Sequence, residues 1–336
     1  LKKAVVYKLD RWNPDEKIIN LAAKELRKGH LVAFPTETVY GLGANALDEE
    51  AVRRIFLAKG RPQDNPLIVH VAAIETAREI AYCDERALRL MDAFWPGPLT
   101  LVMRAKDVVP KVTRGGLDTV AVRMPSHPVA LALIEASGVP IAAPSANTSG
   151  RPSPTDADTV YEDLGDRIEV ILDCGPTDVG VESTVIDITE EKAVLLRPGG
   201  LPIEALTDFG ETVLLPENLS REREINLKKR SPGTRYRHYA PRCKVLLWKA
   251  EEDWPKIRGE RVGYMGIRRP PVDLGDDAIF FDSLENYARG LFMGLRYLEK
   301  RGVEAIIADY PEKRGVGLAI RDRLYRASLA EFDEKP

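Results

Sequence analysis

The chain has 336 residues, 44% of them apolar and 30% charged, and 49 basic against 52 acidic side chains give a net charge of −3. This is the composition of an ordinary globular protein with room for two domains, and its acidic balance gives no overall electrostatic case for nucleic acid. No apolar run reaches the about 18 residues of a membrane span, and LKKAVVYKLDRW lacks the apolar core of a signal peptide, so a cytoplasmic protein with no membrane partner is expected.

Asn13 reads as the N-cap of a first helix with Pro14 at its first position and Gly29 at its end, followed by strand LVAFP, residues 31–35. A turn through Tyr40 to Asn45 leads to Asp48, the expected cap of the helix DEEAVRRIFLAK, which runs into KGRPQDNP. Short apolar runs then recur as LIVHV, LTLVMR, TVAVRM, PIAAP, VILD, STVIDI and AVLLRPG, with the helical pattern HPVALALIEASG among them. Strands interleaved with helices, some on connections too short for a crossover, predict an open α/β sheet of mixed direction over residues 1–218. Residues 219–242 lose the apolar periodicity and read as a linker. Beyond it, CKVLLW, RVGYMGI, AIFFDS and AIIADY, with helices near 285–300 and 317–330, predict a small doubly wound, Rossmann-like α/β domain over 243–336.

Cys83, Cys174 and Cys243 stand singly, no CxxC occurs, and none of the histidines lies at metal-ligand spacing from another. Neither a disulfide framework nor a metal site built from His and Cys is expected. The chemistry points instead to Lys59 and Arg61, cations just past a helix end on a segment stiffened by Pro62 and Pro66. There they serve the helix dipole equally well. With Asn65 and the hydroxyl- and amide-rich loop from Ser145 to Pro154, which also reads as a plain turn, they supply what a polyphosphate needs. Both cations are expected to project from a fixed loop at a sheet edge, Arg61 as a fork and Lys59 as a mobile point charge. Arg123, at the tip of an apolar strand, must pair with an anion, either a structural Asp or a substrate carboxylate. His70 reads as a mid-strand core residue, Thr36-Glu37-Thr38 as a turn or a hydroxyl pair lining a pocket, and Ser183 and Arg197 as weak candidates.

Taken in order, PTETVYGLGANA, KGRPQDNPL, WPGPLTLV, AVRMPSHP, APSANTSGRPSPT, ESTVID and LRPGG resemble the YrdC-like domain of the threonylcarbamoyl-AMP synthases over about residues 13–210. The SPGTRYRHYAP linker and GVGLAIRDRLYRAS resemble the long, two-domain form of that family, with Asp322 where the family favours Asn. The resemblance implies that L-threonine, bicarbonate or CO2, and ATP give threonylcarbamoyl-AMP and pyrophosphate, for a downstream machinery that transfers the threonylcarbamoyl group to tRNA. It implies Mg2+ held mainly by ATP phosphates and water. It assigns Lys59, Arg61, Asn65, Thr119, Ser145, Asn147, Ser153 and Arg197, with Arg235 and Tyr236 of the linker, to ATP. It assigns Thr36, Thr38, His70, Arg123, the main chain of Ala143, and Ser183 to threonine, the Arg123 fork taking the amino-acid carboxylate.

Two other readings compete. An RNA-binding module is suggested by the basic residues of the linker, against the acidic net charge and the lack of an aromatic stacking platform. A carbamoyl-adenylate-forming carbamoyltransferase shares the YrdC-like module but carries cysteine-rich zinc motifs absent from this sequence. The linker from Ser231 to Pro241, bracketed by Pro232 and Pro241, is expected to act as a lid that keeps water from a hydrolysable mixed anhydride.

Overall fold

The structure is a computed structural model, and it describes residues 3–215, 226–227, 229–231, 238–250, 253–255, 257 and 260–329. The first half of the larger part runs β1 (Val5–Lys8), α1 (Glu16–Arg27), β2 (Val32–Pro35), β3 (Tyr40–Asn45), α2 (Glu49–Lys59), β4 (Ile68–His70), α3 (Ile74–Ile80), α4 (Glu85–Phe94) and β5 (Leu99–Arg104). It continues as β6 (Thr119–Arg123), α5 (Pro128–Ser137), β7 (Ile141–Ala142), α6 (Ala157–Leu164), β8 (Val170–Asp173), β9 (Thr184–Asp187), β10 (Ala193–Arg197), α7 (Ile203–Asp208) and β11 (Val213–Leu214). The smaller part is β12 (Lys244–Trp248), β13 (Val262–Gly266), β14 (Ala278–Phe280), α8 (Leu284–Lys300), β15 (Ala305–Asp309) and α9 (Gly317–Ser328).

Asp48 caps α2 as expected, its carboxylate accepting from the amides of Glu50 and Ala51. The first helix differs from its sequence reading. Asp10 Oδ1 takes the amides of Trp12 and Asn13 at 2.8 and 2.7 Å, which ties Asn13 into a turn, and Asp15 caps α1 instead by accepting from Lys17 N.

Eleven strands form one mixed sheet in the order β1-β8-β2-β3-β7-β4-β6-β5-β9-β10-β11. Alternation along β2 splits its core: Leu31 and Ala33 join Leu42, Ile55, Leu101 and Val122 on one face, while Val32 and Phe34 join Leu26, Leu133, Ile141 and Leu172 on the other. Four parallel strands form the second sheet, ordered β12-β15-β13-β14. Both sheets match the α/β architecture expected from the apolar runs.

The two parts share a core. Val39 and Val181 of the larger part and Tyr239 pack in one cluster with Tyr287, Leu291, Phe292, Ile320 and Leu324 of the smaller part. A fully buried side chain of this kind contributes about 1.5–3 kcal/mol, so the shared cluster is a substantial tie between the parts. No helix among the described residues is long and apolar enough to cross a membrane.

Candidate active site

Short elements of the larger part deliver polar side chains to one cavity, part of it open to solvent. It is lined by Thr36 and Thr38 from the β2–β3 turn, His70 and Arg123 from the ends of β4 and β6, and Ala143, Ser145 and Asn147 after β7. Arg61, Ser153, Ser183 and Arg197 also line it, whereas Lys59, Asn65 and Thr119 of the expected residues do not. Parallel pairing of β4 with β6 sets His70 opposite Arg123, and an antiparallel bridge sets Gly41 opposite Ser145. These register constraints bring distant segments to one place.

The Arg123 guanidinium is held from three sides. Nη1 donates to Thr38 Oγ1 at 3.0 Å, Nε to the Gly97 carbonyl at 3.2 Å, and Nη2 lies 2.6 Å from Glu37 Oε1. Arg123 and Glu37 are both buried, so the pair fixes a charge that an exposed arginine would leave mobile. Thr36 and Thr38 share a hydrogen bond at 2.8 Å, and Thr36 Oγ1 also donates to the Val39 carbonyl at 2.6 Å. Arg197 reaches the Ser183 carbonyl with Nε and Nη2 at 3.2 and 3.0 Å, and Ser183 Oγ lies 2.7 Å from Thr100 Oγ1.

His70 closes β4 rather than sitting in mid-strand, with its ring edge-on to Phe34 and no partner for Nδ1 among the described residues. Burial, reinforced by the Arg123 charge, pushes its pKa down to about 3, so the imidazole is neutral at any working pH. The Ala143 amide is taken by Ile68 O at 2.9 Å. A main-chain contact from Ala143 to a ligand must therefore use its carbonyl oxygen.

Lys59 and Arg61 correct the sequence reading in one respect: neither projects as an exposed loop cation. Lys59 is the last residue of α2 and only 2% exposed, and its ammonium donates to the carbonyls of Ser145 and Asn147, the latter at 2.5 Å. Gly60 takes the left-handed conformation that ends the helix and turns Arg61 inward, where Nη2 donates to the Pro66 carbonyl at 3.1 Å. Burial, with the Arg61 charge nearby, pushes the Lys59 pKa well down from its ordinary value. The two sequence signatures thus meet physically, with Lys59 bracing the loop from behind and Arg61 lining the cavity. Ser145 Oγ bonds to Asn147 Oδ1 at 2.6 Å, and the Asn147 amide nitrogen donates to the carbonyls of Thr148 and Arg151 at 2.8 and 2.9 Å.

Asn65 and Thr119 do not line the cavity. Asn65 is 1% exposed, and neither amide atom of its side chain has a partner among the described residues. Thr119 begins β6, on the strand face that also carries Arg123 but about 13 Å along it. Arg235 and Tyr236 lie outside the described residues, as does most of the expected lid. Of that segment, His238 and Tyr239 are buried and line the cavity, and Ala240 N donates to the Gly150 carbonyl at 2.9 Å. Burial, with the charges of Arg61, Arg326, Lys59 and Arg197 around it, keeps His238 neutral.

Sequence reasoning missed Glu182 and gave no role to Glu37 or Arg151, though both lie in segments it singled out, while His238 and Tyr239 belong to the segment expected to cover the site. Glu182, in the run ESTVID, is the one acidic side chain among the lining residues, and Ser153 Oγ donates to it. An acid between strands of small residues was the only available signal. Among the described residues no three His, Cys, Asp or Glu side chains gather to hold a metal ion.

A family model described as telomere recombination matches residues 24–199, and a second, described as the C-terminal domain of threonylcarbamoyl-AMP synthase, matches residues 202–328. A threonylcarbamoyl-AMP synthase of Pyrococcus abyssi is 48% identical over 338 residues, covering 96% of this chain and 95% of its own length. The chain belongs to the threonylcarbamoyl-AMP synthase family. A member from Bacillus subtilis is 44% identical over 335 residues, covering 95% of both. The crystal structure of P. abyssi Sua5 complexed with L-threonine superposes with a TM-score of 0.87 at 47% identity, covering 97% of this chain and 98% of that one. As in the rest of the family, the chain is an enzyme of nucleotidyltransferase type, with ATP as a substrate.

Proposed function

We propose that the cavity binds L-threonine and ATP side by side and joins them through a carbamate to give threonylcarbamoyl-AMP. The observation that carries this reading is the gathering of fixed arginines in one cavity: Arg123 bonded to the Thr38 hydroxyl, with Arg61, Arg151 and Arg197 also in the lining beside Ser145, Asn147 and Ser153.

At the Arg123 end, the guanidinium takes the threonine carboxylate, Thr36, Thr38 and Ser183 offer hydroxyls, and the Ala143 carbonyl accepts from the amine. His70, neutral, offers a polar edge without adding charge. The amine nitrogen adds to carbon of CO2, supplied as such or by bicarbonate taking up a proton and losing water, and gives up a proton to form the carbamate. A carbamate oxygen then attacks the α-phosphorus of ATP, the bond to the bridging oxygen breaks, and pyrophosphate leaves. Both steps bring anions or near-anions together, so fixed positive charge and positioning supply the catalysis.

Arg61, Arg197, Ser145, Asn147 and Ser153 serve the nucleotide, with Lys59 fixing the loop behind them. Asn65 and Thr119 extend the same region, and the buried side-chain amide of Asn65, without a partner among the described residues, is the kind of group that a ligand satisfies. Magnesium is assigned to the phosphates and water. The substrates place the enzyme in the cytoplasm, supplying its adenylate to the machinery that modifies tRNA. Residues 1–218 form the catalytic domain on this reading, joined by 219–242 to a second domain at 243–336. Incubation with ATP, threonine and bicarbonate followed by mass analysis tests the proposal. The mixed anhydride of threonylcarbamate and AMP is the expected product, and its absence while ATP is consumed rejects the reading.

A further inference from the structure

The smaller part reaches into the wall of the cavity. Arg323 of α9 is 0% exposed, and its Nε donates to Glu182 Oε2 at 2.7 Å, across 141 residues of sequence. The other Glu182 oxygen accepts from Ser153 Oγ. Arg323 Nη1 donates to Asp322 Oδ2 at 2.6 Å, Asp322 also takes Arg326 at 3.0 Å, and the Arg323 guanidinium lies 5.1 Å from the centre of the Tyr239 ring.

The same wall is gripped twice more from α8. Arg296 donates to the Pro152 carbonyl at 3.2 and 2.6 Å and to Asp163 at 3.0 and 2.8 Å, and Glu299 holds Arg151 through two bonds at 2.7 and 2.6 Å. The Arg151–Ser153 wall is therefore set by side chains of the smaller part. An ionised carboxylate in that wall is a liability for an enzyme that must admit a triphosphate, because like charges in a low-dielectric cavity repel strongly. Burial alone would raise the Glu182 pKa, but the Arg323 and Arg197 charges with the Ser153 hydroxyl outweigh it, and the group stays ionised.

We propose that Arg323 is a positioning residue for the nucleotide: it cancels the Glu182 charge, keeps Ser153 turned to the cavity wall, and makes the smaller part an integral piece of the ATP site. This rests on the reading of the cavity as an ATP site. Its mark is substrate selectivity. Loss of Arg323 leaves a bare carboxylate against the polyphosphate, while the threonine end around Arg123 and Thr38 keeps its own pairing.

Calorimetric titration of the full chain with ATP and with threonine, on wild type, Arg323→Met, Glu182→Gln and the double variant, tests it. Arg323→Met should weaken ATP binding about tenfold or more and change threonine binding by less than about threefold. The double variant should recover most of the ATP affinity, since no unpaired buried charge remains. Equal loss for both substrates, unchanged ATP binding, or a double variant no better than Arg323→Met would overturn the proposal. Should Arg323→Met not fold, Glu182→Gln decides alone: it keeps the acceptor for Ser153 and removes the repelling charge, so ATP should bind at least as well as to wild type, and weaker binding overturns the proposal. A wild type that binds no ATP would instead refute the site reading on which this rests.

Discussion

The ammonium of Lys59 donates to the main-chain oxygen of Asn147 at 2.5 Å, joining the end of α2 to the loop after β7 across 88 residues of sequence. A lysine spent on carbonyls is a brace, and the loop it braces carries Ser145 and Asn147 into the cavity. Lys59→Met should therefore lower stability as well as activity, by about 1–3 kcal/mol for the orphaned carbonyls, with at least about a hundredfold loss of turnover from the misplaced loop. Urea unfolding and pyrophosphate release measure the two. Normal stability with low turnover would mean that the ammonium acts directly on substrate.

Arg123→Lys retains the charge and loses the fork that reaches Thr38, Gly97 and Glu37 together. The threonine KM should rise about tenfold, equal to about 1.4 kcal/mol, with the ATP KM nearly unchanged. Steady-state kinetics with each substrate varied in turn checks this, and an equal rise in both would remove Arg123 from the threonine end.

Acid should weaken the fold before the carboxylates titrate. His70 and His127 are held down to about 3 and about 4 by burial, whereas in the unfolded chain each takes a proton near about 6.5. The unfolded state thus binds more protons between these values, and stability falls as pH drops from about 6.5 toward 4. His70→Asn should flatten that slope. Urea midpoints at pH 7 and pH 5 give the readout, and an unchanged slope in the variant would show His70 uninvolved.

Gly180 has φ of +80°, and a Cβ there would stand 2.3 Å from Arg289 Cα on α8. Gly180→Ala should cost about 3 kcal/mol through backbone strain and overpacking, and should loosen the contact between the two parts. A lowered thermal midpoint with unaltered far-ultraviolet dichroism is the expected result.

Much of the architecture was legible because it is written locally. Asp48 before an apolar-periodic run gave its cap, and the short apolar runs from Val245 to Ile307 gave the four strands of the small sheet. The placement of Lys59 was hidden because its burial comes from a loop far along the chain, while its neighbours read as an ordinary helix end. Glu182 and Glu37 escaped for the same reason: each answers an arginine from a distant segment, and no local period marks such a pairing. The start of α1 failed on a near tie, since Asn13-Pro14 and Asp15 both carry cap signals and the turn at Asp10 decides between them.

Pyrophosphate release with each component left out in turn bears most directly on the proposal that one cavity joins threonine to ATP through a carbamate. The α-phosphorus is attacked only by a nucleophile made from both other substrates, so release should require ATP, threonine and bicarbonate together and should fall to background when any one is omitted. Serine, lacking one methyl group, should substitute with a penalty of about 1–3 kcal/mol. Rapid release of pyrophosphate without threonine or without bicarbonate would contradict the account.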